Sequence, residues 1–318
     1  PDLPQGAIEL TDQPWGGDVL YLAASDFTTP LTLYALDLSV MELSVMRRQV
    51  AQFNAEGITV EQHHAPSADG TPIPYYWVGK QPRQPETPTL VYVYGGFNVP
   101  ELPHYMGAIG KHWLEQGNAF VLANIRGGGE YGPRWHQAAL KQNRHKAYED
   151  FAAVARDLAA RGIADAQHLG IQGGSNGGLL MGNMLTQYPE LFGAIVVQVP
   201  LLDMQRYHKL LAGASWMAEY GDPDKPEEWA YLQNYSPYHR FDPAKNYPPV
   251  LFTTSTRDDR VHPGHARKMM AKMLGAGKTA LYYENIEGGH GGAADNKQRA
   301  YMSALAYTFL WNELTKGL

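Results

Sequence analysis

Gly173-Gly174-Ser175-Asn176-Gly177-Gly178 lies between two short patterned segments. Leu169 to Gln172, just before it, is apolar enough for a buried strand. Leu179 to Tyr188, just after it, has helical spacing and stops before Pro189. Strand, glycine-rich turn and helix in that order fit G-x-S-x-G over Gly173–Gly177. Such a turn is sharp enough to crowd its backbone, so glycines flank the serine and the hydroxyl projects from a helix N-terminus. A Gly-rich turn without chemistry would read the same way. The decision therefore rests on whether Ser175 has partners.

Partners follow in the order Ser, acid, His. Pro249 to Ser255 is a strand pattern running into Thr256-Arg257-Asp258-Asp259-Arg260-Val261, and Thr279 to Glu284 is another, followed by Gly288-Gly289-His290-Gly291-Gly292. The gaps are 83 residues from 175 to 258 and 32 from 258 to 290. Each candidate thus falls in a loop beyond the carboxyl end of a strand, where open α/β sheets place their sites. A serine hydroxyl is a poor nucleophile at neutral pH, so His290 would take its proton and later deliver it to the leaving group. An acid, Asp258 or Asp259, would hold His290 in the right tautomer and stabilise the imidazolium.

Further strands are predicted at Thr89–Tyr94, Ala119–Ile125, His168–Gln172 and Ala194–Val199, with helical patterns over Ala147–Arg161 and Asp295–Leu314. This alternation, with the Ser–acid–His order, predicts an α/β-hydrolase fold: a doubly wound, mostly parallel sheet over residues 51–318. Residues 1–50 read differently. Val19–Ala24 and Leu31–Leu36 are two short strands in a hairpin-like meander. Gln81 to Pro88, with three prolines, reads as a surface loop between strands.

The chain has 318 residues, 44% of them hydrophobic, ample for one large core and a small appendage. A net charge of −6 without a basic cluster argues against nucleic-acid binding. With no cysteine there is no thiol catalysis and no disulfide, which fits a cytoplasmic location. The chain begins at Pro1 without Met, the pattern of a processed form or a fragment, so a periplasmic location stays open. No apolar run approaches the roughly 18–20 residues of a membrane span. His262 and His265 could form an i,i+3 metal pair but lack a third ligand, so neither metal nor cofactor is expected. His63, His64, His104 and His145 lie in loop-like segments with no strand before them. Gly127-Gly128-Gly129-Glu130-Tyr131-Gly132 also fits G-x-G-x-x-G, with Asp150 about 20 residues on, the fingerprint of a dinucleotide site. That rival leaves the elbow, the acid and His290 unexplained.

From about Gly57 onward the chain resembles the prolyl oligopeptidases. The motifs that carry the likeness are Tyr94-Gly95-Gly96-Phe97-Asn98, Asn124-Ile125-Arg126-Gly127-Gly128-Gly129-Glu130-Tyr131-Gly132, the elbow, Tyr235-Ser236-Pro237, Asp258-Asp259-Arg260-Val261 and Gly289-His290-Gly291. The resemblance implies a serine oligopeptidase that cleaves short peptides after proline, with Asp258 rather than Asp259 as the acid. It implies oxyanion donors at the Tyr94 hydroxyl and the Asn176 backbone N–H. It implies a pocket in which Trp216 stacks on the proline ring, lined by Phe97, Leu201, Tyr220 and Val261, with Arg260 on a peptide carbonyl. Leu201 is bulkier than the family's usual valine. Residues 1–50 resemble the end of the family's β-propeller, and the loop of Arg126 and Glu130 is read as braced by those two side chains. Oligopeptidase B-like cleavage after Arg or Lys, with Glu219 or Glu227-Glu228 as the acidic partner, is the alternative. A carboxylesterase and an inactive peptide-binding relative are further ones.

Overall fold

The computed structural model describes residues 3–11, 13 and 16–317. The chain divides into two compact units: Pro1–Glu61 with Trp77–Pro82 and Leu102–Phe120, and Gln62–Tyr76 with Arg83–Glu101 and Val121–Leu318.

In the first unit, β1 (Ala7–Leu10), β2 (Val19–Ser25), β3 (Thr32–Asp37) and β4 (Glu42–Arg48) form an antiparallel sheet in sequence order. The two predicted strands are present as β2 and β3, and β1 and β4 extend them into a four-stranded meander. In β3 alternate residues are buried, Thr32, Tyr34 and Leu36 facing inward. Tyr34 and Leu36 pack with Leu22 and Ala24 of β2. The turn between β2 and β3 is closed by Asp26, whose Oδ1 accepts the N–H of Thr28 at 2.9 Å and of Thr29 at 2.6 Å. β1 and β4 carry too little burial to show a period of two: in β4 only Leu43 is less than exposed.

Eight further strands, β5 (Ile58–Pro66) to β12 (Leu281–Asn285) and including β8 (Ala119–Ala123), run in the order β12-β11-β10-β9-β7-β8-β6-β5. Within the second unit, β7 (Thr89–Tyr92), β9 (Leu169–Gly174), β10 (Ala194–Gln198), β11 (Val250–Ser255) and β12 pair in parallel. Their burial explains their legibility. β11 is buried at all its residues and β10 at all but Gln198, the mark of strands covered on both faces. β5 and β6 (Pro72–Lys80) lie outside the predicted strands. β5 is polar through Glu61-Gln62-His63-His64, and β6 carries Pro72 and Pro74, which argue against a strand on sequence alone. His63 and His64 therefore sit on a strand, not in a loop.

Helix His145–Ala160 buries Phe151, Val154 and Leu158, which share one face at 3- and 4-residue spacing, and Tyr148 as well. At about 1.5–3 kcal/mol per fully buried large apolar side chain, such a stripe is a principal stabilising term. The last helix, Asn296–Leu314, is capped by Asp295, which accepts the Gln298 N–H at 2.8 Å. It buries Met302, Phe309, Leu310 and Leu314, while Leu305 is only half-buried.

Candidate active site

The parallel register brings the predicted residues to the same end of the sheet. Tyr92 of β7 pairs with Gln172 of β9, Gly174 of β9 with Gln198 of β10, and Ser255 of β11 with Asn285 of β12. Tyr94, Ser175, Asp258 and His290 each follow within a few residues of these last pairs. Tyr94 lies past the end of β7, two residues beyond its last paired position, and not within the strand.

Ser175 has φ 58° and ψ −116°, a conformation few non-glycine residues adopt, and it immediately precedes helix Asn176–Gln187. Strain of this kind costs on the order of 1–3 kcal/mol and persists only where neighbours over-determine it. Here Ser175 N–H donates to Gln198 O at 2.9 Å, and its carbonyl accepts Leu179 N–H at 3.0 Å. A Cβ on Gly173 would lie 2.6 Å from Gly177 O, so the turn closes only with glycine there. Gly174 is different, with its nearest such contact at 3.7 Å. Among the described residues the Asn176 N–H meets no acceptor, as expected for the first residue of a helix.

Asp258 is 4% exposed, whereas Asp259 is exposed. Its Oδ1 accepts the N–H groups of Arg260 and Val261, both at 2.9 Å, which fixes the carboxylate without neutralising it. His290 Nδ1 stands 3.0 and 2.9 Å from the two carboxylate oxygens. The two loops are joined at their roots: Thr256 N–H donates to Asn285 O at 2.8 Å, and Ser255 Oγ to Gly288 O. Ser175 Oγ makes no hydrogen bond among the described residues. Catalytic hydrogen bonds are often long in unliganded sites.

Behind these groups lies a buried network that the sequence did not announce. Arg144 and Glu219 are 0% and 4% exposed and pair through Arg144 Nη1 and Glu219 Oε1 at 2.8 Å. Glu219 Oε1 also accepts Phe97 N–H at 2.9 Å, and Oε2 meets His136 Nε2 at 2.7 Å. Arg144 Nη2 donates to Gly95 O at 3.0 Å and to Asn176 Oδ1. Asn176 Nδ2 donates to Tyr94 O at 2.7 Å, and Tyr220 OH to Asn176 Oδ1 at 2.7 Å. A Cβ on Gly96 would come within 2.5 Å of Asn176 Nδ2, so this packing requires glycine at 96. No local pattern flags Arg144 or His136; their partners are 75 and 83 residues away.

The pocket residues fall as follows. Phe97 and Tyr220 meet edge to face at 5.6 Å, Tyr220 fully buried and Phe97 partly so. Trp216 is 9% exposed and ends the 3₁₀ segment Leu211–Trp216, beside the short helix Met217–Tyr220. Leu201 and Val261 are buried and Arg260 is exposed. Burial raises the pKa of Tyr94 and takes that of Tyr220 well above the usual tyrosine value. Both hydroxyls therefore stay protonated donors at neutral pH. Glu219, a candidate partner for a basic substrate, is already committed to Arg144, His136 and Phe97. Glu228 is likewise held by Asp222 N–H, Lys225 and Tyr231.

The rival motifs are absorbed by structure. In the glycine loop, Gly127, Gly128, Gly129 and Gly132 donate their N–H groups to Trp135, Ile125, Val99 and Gly129, so none remains to cradle a phosphate. Asp150 is fully buried against Arg126 Nη2 at 2.6 Å and Ser67, which leaves no carboxylate for a ribose. Arg126 and Glu130 brace this loop as expected: Arg126 also pairs with Asp69, and Glu130 Oε1 accepts Glu101 N–H at 3.0 Å. His265 is buried, its Nδ1 accepting Leu202 and Asp203 N–H at 3.1 and 3.0 Å, and burial lowers its pKa to about 4. It is a structural histidine.

Residues 105–317 match the prolyl oligopeptidase family. An uncharacterized peptidase of Sinorhizobium fredii is 47% identical over 98% of this chain and 43% of its own length. A prolyl endopeptidase of Elizabethkingia miricola is 34% identical over 93% of this chain and 43% of its own. The solved structure of a post-proline cleaving enzyme from Rickettsia typhi superimposes with a TM-score of 0.90 at 37% identity, covering 97% of this chain and 45% of that one. The chain thus spans less than half the length of the relatives it matches. Fold and sequence agree, and the chain belongs to the prolyl oligopeptidase family of serine peptidases.

Proposed function

We propose that this chain is the catalytic part of a serine oligopeptidase that hydrolyses short peptides on the carboxyl side of proline through an acyl-enzyme. The observation that carries the reading is the buried Asp258 carboxylate held 2.9 Å from His290 Nδ1, with Ser175 at a strained elbow on a nearby strand end of the same sheet. In this reading Ser175 Oγ attacks the scissile carbonyl as His290 Nε2 takes its proton. Asp258 holds the tautomer that leaves Nε2 free and stabilises the imidazolium. Negative charge develops on the carbonyl oxygen, where the Tyr94 hydroxyl and the Asn176 N–H would bind it. His290 then returns the proton to the leaving amine, and water repeats the cycle on the ester.

In this reading proline preference comes from the apolar set Phe97, Leu201, Trp216, Tyr220 and Val261, four of them buried and Phe97 in ring contact with Tyr220, with the exposed Arg260 assigned to a substrate carbonyl. The commitment of Glu219 to Arg144 and His136 argues against recognition of Arg or Lys. Residues 1–50 are read as part of a propeller and 51–318 as the hydrolase domain. The four-stranded meander and the length of the relatives support that division. The absence of cysteine favours the cytoplasm. No helix among the described residues is long and apolar enough to cross a membrane.

A panel of fluorogenic peptides with Pro, Ala, Arg or Phe before the cleaved bond tests the proposal. The highest kcat/KM belongs to Pro. A preference for Arg or Lys would favour the oligopeptidase B-like reading instead.

A further inference from the structure

Glu219 stands between Trp216 and Tyr220 in sequence, yet its carboxylate turns away from recognition and into a buried network. That network reaches the loop after β7 at three successive places. Tyr94 O is held by Asn176 Nδ2, Gly95 O by Arg144 Nη2, and Phe97 N–H by Glu219 Oε1. Phe97 and Asn98 have φ of 57° and 56°, so this loop would not keep its shape unaided. The same Arg144 holds the side chain of Asn176, whose backbone N–H is at the elbow. One ion pair therefore fixes the two expected oxyanion donors relative to each other. The pocket wall is fixed by it as well, through Phe97 and Tyr220.

We propose that Glu219, acting through Arg144, is a positioning residue for the oxyanion site, setting the Tyr94 loop against the start of helix Asn176–Gln187. The proposal rests on the serine peptidase reading above. Glu219 touches no reacting atom; it acts by geometry. A misplacement of about 1 Å can cost on the order of 100-fold in rate. Breaking a buried pair leaves the partner charge uncompensated, so Arg144 would be expected to shift when Glu219 is lost.

The test compares the wild-type chain with Glu219→Gln, Glu219→Ala, Tyr94→Phe and the double variant Glu219→Gln/Tyr94→Phe. Titration with an organofluorophosphate, run to completion, counts competent sites in each, so misfolded molecules do not enter kcat. Glu219→Ala is expected to lower kcat per titrated site about 100-fold for Pro and Ala peptides alike, with KM changed far less. Glu219→Gln, which keeps an acceptor for Phe97, should lose less. It should lose less again in the Tyr94→Phe background, because the two changes damage one element. Where Glu219→Ala does not fold, Glu219→Gln and Arg144→Lys carry the comparison. Full kcat per site, a change in KM alone, or additive losses in the double variant would each overturn the proposal. Failure of the wild-type chain to titrate would remove the serine peptidase reading itself, and this proposal with it, before any variant is compared.

Discussion

The loops that carry Ser175, Asp258 and His290 and the segment from Leu211 to Tyr220 are held in place by different forces. The first three emerge from parallel strands whose register is set by backbone ladders, and β11 is buried at every residue. Leu211–Tyr220 consists of a 3₁₀ stretch and a single helical turn, and it begins at Leu211 with φ 48°. Besides local backbone bonds and Ala212 N–H on Arg260 O, it is held by side chains: Glu219 on Arg144, Tyr220 on Asn176, and Tyr207 OH on Gly221 O. In the proposed reading the sheet thus places the triad, and a polar network places the oxyanion donors and the pocket. Loss of a group on the first footing should remove turnover and leave the frame. Loss on the second should disturb the frame itself.

The largest expected effect is on the sheet-borne side. Ser175→Ala and His290→Ala should each lower kcat by roughly 10⁴- to 10⁶-fold, and the double variant should be little worse, since such residues act as a unit. Melting temperatures close to wild type would accompany this loss; collapse of the fold would break the contrast. Next comes Tyr94→Phe, expected to lower kcat for amide substrates about 100- to 1000-fold with little change in KM, because an oxyanion donor works only in the transition state. An effect on KM alone would return Tyr94 to the pocket. Trp216→Ala sharpens the recognition side. It should cost about 10- to 100-fold in kcat/KM on Pro peptides and much less on Ala peptides, which offer no ring to stack on.

The smallest effect concerns stability. His265 ties helix Gly264–Gly275 to the segment after β10 that carries Leu201. Its folded pKa of about 4 lies below the ordinary histidine value of 6.5, so between those values the unfolded chain binds a proton that the folded chain does not. Stability should therefore fall as pH drops from about 6.5 toward 4, with no contribution above that window. Glu101 works oppositely: burial raises it to about 7, so its folded form binds the extra proton and loses stability as pH rises toward 7. The difference between wild type and His265→Asn in urea midpoint across pH 4–8 isolates the histidine. The variant should lose less on acidification, and identical slopes would contradict the assignment.

This contrast also explains what could be read in the sequence. Strands covered on both faces leave continuous apolar runs, so β7 to β11 are legible within a few residues, while β12, buried only at Asn285, is legible from its Leu281-Tyr282-Tyr283 run. β1, β4 and β5 are largely exposed and show no clear period, and the prolines of β6 disguise it as a loop. The choice of Asp258 over Asp259 came only from family likeness; burial at 4% and the bond to His290 give its physical ground. Arg144, His136 and Glu219 act through contacts across 75 to 122 residues, which no local spacing encodes.

The central claim is that Ser175 is the nucleophile of a working acyl-enzyme site. Reaction of the intact chain with an organofluorophosphate, followed by proteolysis and mass spectrometry, tests it most directly. One adduct per chain is predicted, on the peptide containing Ser175, absent from Ser175→Ala and formed far more slowly by His290→Ala. An adduct on a different serine, or none on a folded chain, would contradict the account.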